Sequence, residues 1–130
     1  MTTLEATILG SGSSGGVPRI GGPEGAGMWG ACDPSNPKNR RRRCSLLLRQ
    51  KSESGATTVL IDTSPDMREQ LMGARVSALD AVFITHDHAD QLHGIDDLRM
   101  IAMNMRRRVD VYADEDSFRR ILSRIGYCFV

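Results

Sequence analysis

Residues 85–94 read Thr85-His86-Asp87-His88-Ala89-Asp90-Gln91-Leu92-His93-Gly94, and every histidine of the chain lies inside them. His86, His88 and Asp90 stand two residues apart. In an extended segment, side chains at i, i+2 and i+4 project to one side, so two neutral nitrogens and one anionic oxygen converge on a cation. That donor set suits Zn²⁺, and also Mn²⁺ or Fe²⁺, with positions left open for water or substrate. A lone histidine here would read as a solvated loop. Three imidazoles interleaved with aspartates set this stretch apart. Its place counts too: it leaves the C-terminal end of the apolar run Ala81–Thr85, where α/β proteins put their sites.

Working outward, Ala81–Thr85 shows no polar alternation and predicts a buried strand. Leu4–Leu9, Cys44–Arg49 and Thr57–Asp62 predict strands, the last two paired as a hairpin about Glu53-Ser54-Gly55. Ser64 and Pro65 predict a helix start, with Ser as N-cap, running to Met72 and stopping at Gly73. Beyond the histidines, Leu98, Ile101, Ala102 and Met105 fall at helical spacing. Val109–Ala113 predicts a further strand. Asp114 caps a last helix whose stripe is Phe118, Ile121, Leu122 and Ile125, closed by Gly126. The apolar tail Tyr127–Val130 suits another strand. The fold class is α/β.

At 130 residues the chain suits one domain, residues 1–130, with a core of aliphatic residues, since aromatics make up 5%. A net charge of +1 gives no general pull toward nucleic acid or membrane. No apolar run is long enough for a membrane span and the start lacks the form of a signal peptide, so a cytoplasmic location is expected. Cys32, Cys44 and Cys128 are odd in number and irregularly spaced, which argues against a disulfide framework.

His86-x-His88-x-Asp90 followed by Gly94 resembles the His-x-His-x-Asp-His-x-x-Gly signature of the metallo-β-lactamase fold. The resemblance implies an αβ/βα sandwich with up to two metal ions between its sheets, of which this chain would be the N-terminal half. It implies that His86 and His88 hold the first ion and Asp90 the second. Gln91 stands where the pattern has the last histidine, and an amide binds zinc far more weakly than imidazole. His93, three residues past Asp90 on one helical face, is a substitute ligand; a solvent-facing cap histidine is the other reading. Leu60-Ile61-Asp62 resembles the early strand of these proteins. Asp62 would stand behind the ligands and orient their loop, with Gln91 also behind them.

The glycine-rich Leu9–Pro18 resembles the opening loop of the phosphodiesterase branch. Trp29-Gly30-Ala31-Cys32, Arg40–Arg43 and Cys44-Ser45 resemble the phosphoribosyl cyclic-phosphate phosphodiesterases in particular. That branch often carries a structural zinc on clustered cysteines. Cys32 and Cys44 have no close partner, so none is expected here, and the three thiols are expected to be reduced. Gly10-x-Gly12-x-x-Gly15 fits a dinucleotide fingerprint only formally, because Gly16, Pro18, Gly21 and Gly22 forbid the helix it needs. Close approach of its backbone to the metal site is expected instead.

The implied function is metal-dependent hydrolysis of a small phosphodiester or nucleotide-like substrate through a metal-bound hydroxide, which Asp90 would orient as the catalytic carboxylate. Arg42 and Arg43 would hold the substrate anion. The run Lys38, Arg40–Arg43 and the triplet Arg106–Arg108 could bind phosphates, the triplet suiting a solvated basic face better, and without interleaved aromatics a nucleic-acid partner is not favoured. Transfer-RNA end-processing nucleases and lactone or thioester hydrolases share the motif and are alternatives. An iron oxygenase with two His and one carboxylate shares the donors but not the architecture. A reading of another class is an inactive partial fragment. The chain looks cut short, no histidine follows His93, and the isolated 130 residues are expected to turn over little substrate.

Overall fold

In the computed structural model, which describes residues 1–129, five strands form one sheet in the order β1-β2-β3-β4-β5. β1 (Thr3–Gly10), β2 (Ser45–Ser52) and β3 (Gly55–Ile61) are successively antiparallel, and the β2–β3 hairpin closes at Ser52 and Gly55. From there the sheet turns parallel. Helix α1 (Met67–Gly73) leads to β4 (Ala81–Phe83), then α2 (Ala89–Leu92) and α3 (Leu98–Met105) lead to β5 (Val111–Tyr112), as parallel neighbours require. Helix α4 (Glu115–Ile125) follows. The α/β class and the hairpin agree with the sequence.

Strand register decides which face is covered. Leu47, Leu60, Val82 and Val111 are successive cross-strand partners, and the first three are at most 1% exposed. Met67 and Leu71 of α1, Leu92 of α2, Ile101 of α3 and Ile121 of α4 complete that core. One residue along, Ile8, Leu46, Ile61, Phe83 and Tyr112 are also successive partners and point the other way. This second row lies outside the core. Ile8 is 72% exposed, and Phe83 stacks on Tyr112 with ring centroids 4.9 Å apart. The run Ala81–Thr85 is therefore no fully buried strand: Val82 and Ile84 face inward and Phe83 faces out.

Other boundaries shift for local reasons. Helix α1 starts at Met67, because Ser64 uses its hydroxyl on the Asp66 amide (3.0 Å) and its carbonyl on the Met67 amide (2.9 Å), forming a turn before the helix. Asp114 does cap α4, accepting from the Ser117 amide at 3.0 Å. The buried face of α4 runs through Ser117 and Ile121, so Leu122 is exposed rather than part of the stripe. Residues 126–129 wind on as a 3-10 turn instead of a strand, with Phe129 edge-on against Phe118 of α4 at 5.6 Å. Val130, the last residue of that expected strand, lies outside the described residues.

The long glycine-rich loop is stitched to its own far end. The Gly12 amide donates to the Arg42 carbonyl (2.7 Å), and Val17 and Arg41 exchange backbone bonds at 2.9 and 2.8 Å. A Cβ on Gly10 would sit 2.0 Å from the Arg43 carbonyl oxygen. The close approach expected toward the metal site is instead an approach to Arg41–Arg43.

Candidate metal centre

β3 and β4 are parallel neighbours, so the loops leaving their C-terminal ends emerge side by side. Asp62 follows β3 in a left-handed conformation (φ 65°), which aspartate tolerates better than most residues. Its amide donates to the Phe83 carbonyl (2.8 Å), fixing it against the end of β4. Its buried carboxylate accepts from the Thr85 amide and from the Thr85 hydroxyl, each at 2.7 Å.

That second bond determines the next one. Thr85 has one hydroxyl proton, and Asp62 takes it. Only a lone pair remains for Nδ1 of His86, 3.0 Å away. A hydrogen bond there requires Nδ1–H, which leaves the Nε2 lone pair of His86 free to meet a cation. His88, still extended (φ −65°, ψ 147°), sets its ring edge-on to that of His86 at 4.5 Å between centroids.

The extended reading of the motif holds as far as His88 and then stops, because α2 begins at Ala89. Asp90 stands half-buried on the first turn of α2, and His93 is exposed at its C-terminal end, its amide donating to Ala89 at 2.9 Å. Among the described residues, no group of three His, Cys, Asp or Glu side chains is gathered as a ready-made metal cluster. The structure thus brings His86 and His88 together and leaves Asp90 and His93 apart from a closed set.

A helix of four residues has no stability of its own. Helix α2 is held by the 62–64 segment, through Thr63 amide to Gln91 carbonyl (2.8 Å), Thr63 hydroxyl to Leu92 carbonyl (2.9 Å), and Gly94 amide to Thr63 carbonyl (2.9 Å). Gly94 is buried here, and a Cβ on it would sit 1.9 Å from the Ser64 carbonyl oxygen. The Gln91 side-chain oxygen is buried with no hydrogen-bond partner among the described residues. An orphaned buried acceptor is costly, and a cation or its water is a chemically suitable partner. The free Nε2 of His86 and this orphaned acceptor are each chemically suited to a divalent ion or its water.

Two participants escaped the sequence reading. Thr85 is one. Asp87 is the other: its carboxylate, 13% exposed, meets Arg120 Nε at 3.1 Å and also pairs with Arg124. Burial pushes that carboxyl upward, but the hydrogen bond and charge of Arg120, aided by Arg124, hold it below its ordinary range. The signal in the sequence was Arg120 and Arg124, four apart and so on one face of a helix. Which acidic residue they meet is a tertiary fact.

The expected anion ligands are placed differently from each other. Arg43 forks onto Asp66 (2.7 and 3.1 Å) and also donates its amide to it (2.8 Å). Arg42 is exposed. Arg40 lies over the Trp29 ring at 5.4 Å. Cys32, Cys44 and Cys128 are free.

Residues 57–130 match the model of the beta-lactamase superfamily domain, more than half of the chain. An octanoyltransferase of Porphyromonas gingivalis is 36% identical over 126 residues, which is 97% of this chain but 24% of that protein. Among solved structures, a diphosphatase from the PhnP family is 36% identical with a TM-score of 0.82, over 99% of this chain and 49% of that one. The chain thus spans about a quarter of the first relative and about half of the second. Zn²⁺-bound PqqB from Methylobacterium extorquens (22% identity, TM-score 0.61, covering 95% of this chain and 40% of that one) shares the fold, as does the human tRNase Z short form (19%, 0.58, covering 100% and 41%). With its sheet-and-helix order, its histidine loop past β4 and this family match, the chain belongs to the metallo-β-lactamase superfamily.

Proposed function

We propose that this chain carries the ligand-bearing part of a metal-dependent hydrolase of small phosphate esters, phosphodiesters foremost, with His86 and His88 holding a divalent ion, zinc by preference. The observation that carries the reading is the relay from Asp62 through Thr85 to His86, which leaves one imidazole nitrogen committed and the other free. The similarity to a diphosphatase over nearly the whole chain supports the substrate class.

A divalent ion supplies polarisation of a phosphoryl oxygen and a lowered pKa for water. The protein's own part is orientation. Asp62 and Thr85 fix the His86 ring, His88 stands beside it, and Gln91 offers a buried acceptor from behind. Asp90, on the first turn of α2, would serve a second ion or take a proton from water. His93 is the further imidazole available for that second ion. Arg42 is the exposed cation left for the substrate's phosphate; Arg43 is already committed to Asp66.

A second reading, chemistry on an octanoyl thioester, rests on the name of a relative of which three quarters lies outside the match. One experiment separates the two. The metal-stripped chain is titrated with Zn²⁺, then assayed on a cyclic phosphodiester, a bis-aryl phosphodiester, a diphosphate, precursor transfer RNA and an octanoyl thioester. Zinc binding that is lost in His86→Ala and His88→Ala is expected, with slow cleavage confined to the phosphate esters. The rate is expected to be low because Asp90 and His93 stand apart from a closed ligand set with His86 and His88. Absence of zinc binding, or preference for the thioester, overturns the reading.

A further inference from the structure

Asp87 lies between the two imidazoles in sequence; its carboxylate is taken up by α4, while the rings of His86 and His88 stand edge-on to each other. In extended backbone the middle of three residues points away from its neighbours. Whatever fixes the Asp87 side chain therefore fixes the direction in which His86 and His88 face. Two arginines do so. Arg120 Nε reaches Oδ1 at 3.1 Å, Arg124 takes Oδ2, and Arg124 also reaches the Asp87 carbonyl oxygen at 3.4 Å. Both arginines rise from one face of α4, a helix anchored by Ile121 at 0% exposure and by the Asp114 cap at its N-terminus.

Stability alone gives a weak account of this arrangement. The arginines are about half exposed, and exposed ion pairs contribute little. The geometric constraint is more specific: contacts at both carboxylate oxygens and at the carbonyl restrict rotation of the Asp87 peptide. We propose that Asp87 is a positioning residue: clamped by Arg120 and Arg124, it turns His86 and His88 together toward one ion. The proposal rests on the metal reading above for its purpose, and on the Asp87 clamp for its geometry.

The test uses the whole chain with two readouts. In the metal-free protein, nuclear magnetic resonance is expected to show a contact between the His86 and His88 rings, and Asp87→Asn is expected to lose it. In Co²⁺ titrations followed by the visible spectrum, Asp87→Asn is expected to bind about 10–100-fold more weakly, with Asp87→Glu partly restoring affinity. Should Asp87→Asn fail to fold, the double change Arg120→Gln and Arg124→Gln, at half-exposed positions, carries the same expectations. Retention of both the ring contact and the Co²⁺ affinity in a folded clamp variant overturns the proposal. A wild-type chain that takes up no Co²⁺ overturns the metal reading instead, and loss of the ring contact in the variants then still supports the clamp.

Discussion

One hydroxyl proton decides how His86 presents its ring. Thr85 donates it to Asp62 and so accepts from His86, and serine is the small residue that repeats that arithmetic. Thr85→Val keeps the shape, removes the relay and leaves the buried Asp62 carboxylate short of one donor. Zinc affinity is expected to fall about 10–100-fold, the usual loss when the group behind a ligand is removed. Thr85→Ser is expected to stay close to wild type. Calorimetric titration of both variants checks this, and equal affinity in Thr85→Val would exclude the relay. Asp62 was legible only through the resemblance of Leu60-Ile61-Asp62 to an early strand of the superfamily, since an aspartate at a strand end alone reads as a turn or cap residue. Thr85 was not, since a threonine at a strand end carries no distinguishing mark until its hydroxyl has a partner.

The short helix α2 depends on a glycine contact for its seat. A side chain at Gly94 would meet the Ser64 carbonyl at 1.9 Å, and both partners are backbone, so neither yields without moving α2 off the 62–64 segment. Gly94→Ala is expected to cost about 3 kcal/mol or more, at the upper end of overpacking, and roughly 10 °C in Tm for a chain of this size. Gly73 is the control. It ends α1 with nothing within 4 Å of its Cβ position, so Gly73→Ala is expected to be neutral or to stabilise by up to about 1 kcal/mol. Thermal melts of the two variants decide it, and similar melts would show that the seat is soft. The strands and the α4 cap could be read from the sequence because hydrophobic period and capping residues act locally. The break in the metal motif at Ala89 could not. Two-residue spacing is the same string of letters whether the segment is extended throughout or turns helical halfway, and the turn is imposed by Thr63 and Ser64, about a fifth of the chain away.

Across the whole molecule the sheet has two unlike faces. One is closed by four helices; the other carries Ile8, Leu46, Ile61, Phe83 and Tyr112 in a single register across all five strands. A row of that kind matches a second packed layer, since domains bury sheet faces against another sheet or helices. The diphosphatase neighbour, of which this chain covers 49%, is about twice as long. Left uncovered, such a contiguous apolar strip drives association. The 130-residue chain alone is therefore expected to bind an apolar dye in its folded state and to show concentration-dependent association in sedimentation. Ile8→Lys combined with Phe83→Lys places charge on the exposed edge strand and toward the row's other end, where lysine opposes sheet-to-sheet contact. Because Ile8 is 72% and Phe83 43% exposed, the pair is expected to abolish association and dye binding while shifting Tm little. A wild-type chain that stays monomeric and dark at high concentration would show that the row is too narrow to act as an interface. A large fall in Tm for the double variant would instead place those two side chains in the core, against the register that puts Leu60 and Val82 there.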